Sequence, residues 1–125
     1  MTAVKVVDAS ALAALLFGEP EGPDIAVRIA GARLIAPTLL SFELANVCLV
    51  KRRRHAAQEA ALTAAFALLP QLAVQETSVD LPQAVDLARQ TGLTLYDASY
   101  LWLSRNLGAE LVSLDKALIA AALAP

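Results

Sequence analysis

Sulfur and imidazole are nearly absent from this 125-residue chain, in which Cys48 is the single cysteine and His55 the single histidine. One cysteine excludes an internal disulfide and a thiolate metal cluster, so Cys48 reads as a small buried hydrophobe. One histidine, following the KRRR run, excludes a histidine-based zinc site and leaves no serine with a partner for a triad. His55 is expected at a solvated helix junction. No apolar run reaches the roughly 18 residues of a membrane helix, and the N-terminus lacks the basic-then-apolar pattern of a secretory signal. A cytoplasmic protein with no membrane partner is therefore expected. The net charge of −2 gives no global attraction to nucleic acid, which leaves the local run Lys51, Arg52, Arg53 and Arg54 as the place where a phosphate backbone could be tracked. Repeats, low-complexity stretches and an interdomain linker are also missing, so a single domain over residues 1–125 with one substantial core is expected.

What is plentiful is apolar. Hydrophobic residues make up 58% of the chain and charged residues 18%, above the apolar share of an average soluble domain. Many of these residues are alanines, which form helices well but bury little area. The remaining excess points to an interface, with a second copy or a protein partner covering it.

Val4 to Val7 reads as a buried strand ending at Asp8, and Ala9 to Phe17 as a helix stopped by Gly18 and Pro20. A helix from Pro23 to Ala30 and a strand from Arg33 to Ala36 follow. Thr38 is placed to cap a long helix that turns Phe42, Ala45 and Leu49 toward the core and ends in the basic run. A further helix is expected over Ala56 to Leu69, a strand over Leu72 to Glu76, and a helix opened by Asp80 and Pro82 that ends near Gly92. Leu93 to Leu95 is a connector or short strand. Asp97 lies in the first turn of a helix broken at Gly108, Glu110 to Leu114 is a strand, and Asp115 opens the last helix. Short strands alternating with helices predict an α/β fold with a short, mostly parallel sheet covered on both faces.

Four acids interrupt apolar segments: Asp8 in KVVDAS, Glu43 in SFELAN, Asp97 in LYDASY and Asp115 in LVSLDKAL. Open parallel sheets place polar sites at the carboxyl ends of their strands, where Asp8 and Asp115 fall. Helix N-termini stabilise anions, so capping alone accounts for Asp8, Asp97 and Asp115 as well. Four carboxylates in one crevice raise one another's pKa unless a cation or a shared proton compensates. Oxygen ligands without histidine or thiolate suit Mg2+ or Mn2+. Asn46 shares a helical face with Glu43 and is a candidate positioning group, Ser10 can cap the first helix or bond Asp8, and Ser113, two residues before Asp115, can share its strand face. Arg105 and Lys116 are further candidates for phosphate contacts.

These segments, VVDAS, FELAN, LYDAS and LVSLDKAL, resemble in order and spacing those of the PIN-domain family, particularly the small VapC-type toxin ribonucleases of toxin–antitoxin pairs. The resemblance spans nearly the whole chain. It implies a three-layer α/β/α domain in which Asp8, Glu43, Asp97 and Asp115 hold one or two Mg2+ ions, with Mn2+ able to substitute. Asn46 and Ser113 then match positions that orient ligands or water. The implied reaction is hydrolysis of RNA, with transfer or ribosomal RNA as substrates, inhibited by a cognate antitoxin in a homodimer or a toxin–antitoxin hetero-oligomer. Many relatives add a short final strand; ending at AALAP, this sequence is expected to have a sheet without it.

Two other readings share the pattern. A phosphoacceptor signalling domain also joins an α/β fold to an acidic magnesium pocket, but LDKAL opens a helix where that class needs a separately placed lysine. A noncatalytic partner-binding protein would use the acids only as helix caps or to recognise a basic peptide.

Overall fold

The computed structural model describes residues 2–124. Four strands, β1 (Val4–Val7), β2 (Arg33–Pro37), β3 (Gln75–Thr77) and β4 (Glu110–Val112), form one sheet in the order β3-β2-β1-β4, and every pairing is parallel. Among the described residues seven α-helices connect or flank them: α1 (Ala9–Leu16), α2 (Gly22–Ile29), α3 (Leu40–Arg54), α4 (Glu59–Phe66), α5 (Leu81–Thr91), α6 (Leu95–Leu107) and α7 (Lys116–Leu123). Helices α1 to α4 pack on one another, as do α5 to α7, giving the expected α/β/α layers. The chain runs outward from β1 through β2 to β3, then returns to place β4 on the other side of β1. That reversal makes the carboxyl ends of β1 and β4 the switch point at which such sheets hold their ligands.

Local chemistry explains most boundaries. The β-branched VKVV segment suits a central strand, and the Asp8 carboxylate accepts from the Ala11 N–H to start α1. Asp80 caps α5 in the same way, and Gly92, at φ 75°, ends it in the left-handed conformation that glycine adopts without strain. Gly22 serves a close approach between α1 and α2, since a Cβ there would stand 2.7 Å from the Ala14 carbonyl oxygen.

Several expectations are corrected. Thr38 does not cap α3: Leu39 holds the cap position, and the helix end is served from outside by Glu76, which accepts from the Ser41 N–H at 3.3 Å and its hydroxyl at 2.5 Å. A carboxylate from β3 thus satisfies an orphan donor and the positive end of α3. The core face of α3 is Leu40, Leu44 and Cys48, whereas Phe42 is 82% exposed and Leu49 is also exposed. The Ala56 to Leu69 helix divides into a 3-10 turn at Ala56–Gln58, α4, and a second 3-10 turn at Leu69–Leu72 that ends at Ala73, at φ 52°. Because that turn consumes Leu72, β3 begins only at Gln75. Leu93 to Leu95 forms no strand, and β4 stops at Val112, two residues earlier than expected. Cys48 is buried and His55 is exposed at the α3 terminus, as read from the sequence. No helix among the described residues is long and apolar enough to cross a membrane.

Candidate active site

Asp8 stands at the carboxyl end of β1 and is buried. Its Oδ1 accepts from the Ser10 hydroxyl at 2.7 Å and the Ala11 N–H at 3.0 Å, while Oδ2 accepts from the Ser113 hydroxyl at 2.6 Å. Each serine is oriented by a backbone donor: Leu114 N–H donates to Ser10 Oγ at 2.9 Å, and Asp115 N–H to Ser113 Oγ at 3.0 Å. With an acceptor lone pair of each hydroxyl so engaged, the proton is directed to Asp8. The two serines therefore tie the loop after β4 to the loop after β1. Ser113 and Asp115 do not share the expected strand face, because both lie beyond β4, and are linked instead through the Asp115 backbone N–H.

Asp115 caps α7 by accepting from the Leu118 N–H at 2.9 Å. Asp97 is no cap, contrary to the capping account: Thr94 Oγ1 accepts from the Asp97 N–H at 3.1 Å and starts α6. The Asp97 carboxylate accepts no hydrogen bond from the described residues. Glu43, in the first turn of α3, receives the Tyr100 hydroxyl on Oε1 at 2.6 Å. Asn46 is exposed and makes no side-chain hydrogen bond among the described residues. Sequence reading passed over Thr94 and Tyr100, which stand three residues before and after Asp97. The threonine-to-acid spacing of a helix start and the shared face of Asp97 and Tyr100 were the available signals.

The acids converge electrostatically. Burial pushes the Asp8 carboxyl up, against hydrogen bonds from Ser113, Ala11 and Ser10, and Asp115 adds to the rise. Burial also raises Glu43, opposed by the Tyr100 hydroxyl and reinforced by Asp97 and Asp8. Asp97 is raised by burial and then by Asp115 and Asp8. Burial, then Glu43, holds the Tyr100 phenol far above its ordinary range, so it remains a donor. Ion pairs among the described residues join Lys5 and Arg28 to Glu110, Lys51 to Glu19, and Arg52 to Glu59, and none neutralises the four acids.

The donor set is all oxygen, anionic and unpaired with any base of the described residues, a chemistry that fits a hard cation. It is not a closed cage, since no three acid, histidine or cysteine side chains of the described residues gather around one point. An open set of this kind suits a small divalent ion that keeps several waters and takes only one or two carboxylates directly.

Raised carboxyls make stability depend on pH. Unfolded, these groups titrate near pH 4; folded, Asp8, Glu43 and Asp97 retain protons above that value. Their contribution is complete below the unfolded range and is lost as pH rises through the folded values. In EDTA, Tm is expected to fall as pH rises from the unfolded range of about 4 through the raised folded range, and Asp97→Asn should flatten the slope. A thermal melt series checks this, and a Tm that climbs across that range would contradict it.

These features define a three-layer α/β/α domain with acidic residues near the switch point of a parallel sheet. The chain belongs to the PIN domain family, in its VapC-type branch: the family pattern matches residues 5–123. It is 32% identical over 118 residues to Ribonuclease VapC3 of Pyrobaculum aerophilum, covering 90% of each chain. The crystal structure of PAE2754 from the same organism superposes with a TM-score of 0.79 at 27% identity, covering 98% of this chain and 87% of that one. Mycobacterium tuberculosis VapC20, described as a sarcin-ricin loop cleaving toxin, shares the fold with a TM-score of 0.66 at 18% identity, over 97% of this chain and 99% of that one.

Proposed function

We propose that this chain, as one domain over residues 1–125, is a metal-dependent endoribonuclease toxin held inactive by a cognate antitoxin. The observation that carries the reading is that Asp8, Glu43 and Asp97 are each raised by burial and then by neighbouring acids, with no basic partner to any of the four acids among the described residues, in a chain related to a named ribonuclease. Asp8 and Asp97 are assigned as direct ligands of Mg2+ or Mn2+. Glu43 and Asp115 ligate directly or hold the ion's waters. When bound, the cation acidifies water and offsets charge on the phosphodiester oxygens. Ser10 and Ser113 keep Asp8 oriented, and Asp97 offers a carboxylate that accepts no hydrogen bond from the described residues. Asn46 is assigned to orient water or substrate from the exposed face of α3. Hydrolysis joins water oxygen to phosphorus and breaks the bond to the 3′ oxygen, leaving a 5′-phosphate and a 3′-hydroxyl. This route needs no 2′-hydroxyl nucleophile, so preference for RNA must come from recognition.

Exposed Arg53 and Arg54 at the end of α3 supply positive charge for a phosphate backbone. Exposed Phe42, Val27 and Leu123 supply apolar surface for an antitoxin or a second copy. Purified, partner-free protein incubated with total cellular RNA and Mg2+ or Mn2+ is expected to make discrete cuts with 5′-phosphate ends, at transfer or ribosomal RNA, that EDTA abolishes. No cuts from folded, metal-replete protein would move the assignment to a noncatalytic partner-binding role.

A further inference from the structure

We infer that Tyr100 is a positioning residue for Glu43: its buried hydroxyl holds Oε1 of that carboxylate, leaving Oε2 to serve a cation or its waters. The inference rests on the metal-dependent reading above. Tyr100 is 1% exposed, and its contact with Glu43 at 2.6 Å is its one side-chain hydrogen bond among the described residues. That length belongs to a short, charge-assisted bond. Glu43 has no other internal donor among those residues, whereas Asp8 has three.

A glutamate side chain has several rotatable bonds, and repulsion from Asp97 and Asp8 favours rotamers that swing it away into solvent. The tyrosine hydroxyl opposes that swing. Because Tyr100 lies three residues after Asp97, one face of α6 carries an acid and the donor that restrains a second acid on α3. A single helix turn thereby governs the separation of two carboxylates from different helices. Donors that orient ligating carboxylates act in this way, and their loss weakens metal binding by about 10- to 100-fold.

The test is a Mn2+ titration of the full chain without RNA, followed by the electron paramagnetic resonance of free Mn2+, on wild type, Tyr100→Phe, Glu43→Ala and the double variant. Phenylalanine fills the same volume, so the fold in EDTA should persist. Tyr100→Phe is expected to weaken Mn2+ binding about tenfold or more, and to add nothing in the Glu43→Ala background. In the cleavage assay its kcat should recover with excess Mn2+ while KM for RNA stays unchanged. Unchanged Mn2+ affinity, or an equal loss in both backgrounds, would overturn the assignment, the latter by showing that the ring acts through packing. Wild-type protein that binds no Mn2+ would instead remove the metal reading, and the inference with it.

Discussion

Asp97→Ala is expected to lower metal-dependent RNA cleavage by about 1,000-fold or more, equivalent to roughly 4 kcal/mol of transition-state stabilisation, while leaving the fold intact. The two halves of that expectation have separate causes. The Asp97 carboxylate accepts no hydrogen bond from the described residues, and the helix it opens is capped by Thr94. Removing it breaks no internal contact of that kind and relieves repulsion from Asp115 and Asp8. Its Tm in EDTA should therefore equal or exceed that of wild type. Asp8 is the opposite case, since its loss would strand the Ser10 and Ser113 hydroxyls and the Ala11 N–H. Cleavage assays and thermal melts on the same preparation decide the matter. Near-wild-type cleavage by Asp97→Ala would withdraw its assignment as a direct ligand.

Leu44→Ala is expected to cost about 2–5 kcal/mol of stability and to lower Tm by roughly 10 °C or more. Leu44 is fully buried in the core cluster on α3, beside Glu43, so truncation leaves a cavity under the site. Phe42→Ala, two positions earlier on the same helix, should change the stability of the partner-free protein by no more than about 0.5 kcal/mol. Denaturant unfolding of both variants checks the pair. A large loss for Phe42→Ala with a small one for Leu44→Ala would mean that α3 is rotated from the arrangement described here.

The α3 case shows where sequence reading failed. Apolar residues occur almost all round this helix, so Phe42, Ala45 and Leu49 present as plausible a core face as Leu40, Leu44 and Cys48. Periodicity cannot choose between two apolar stripes. The choice was made by α1 and α4, which pack against one side. The cap of α3 was illegible for a related reason, since Glu76 lies 35 positions from Ser41 and meets it only because β3 is parallel to β2. The late start of β3 followed from the 3-10 turn at Leu69–Leu72, which takes Leu72 from the expected strand.

By itself the sequence determined the alternation of strands and helices, the glycine and proline breaks, and the four acids at helix openings, because these depend on neighbours a few residues away. It also carried the family resemblance, through segments whose order needs no coordinates. Only the tertiary structure decided that Ser113 donates to Asp8, that Tyr100 donates to Glu43, and that Asp97 alone of the four acids accepts no hydrogen bond from the described residues. The Tyr100–Glu43 and Ser113–Asp8 hydrogen bonds span 57 and 105 residues, where sheet order and helix packing, rather than local propensity, set which side chains meet.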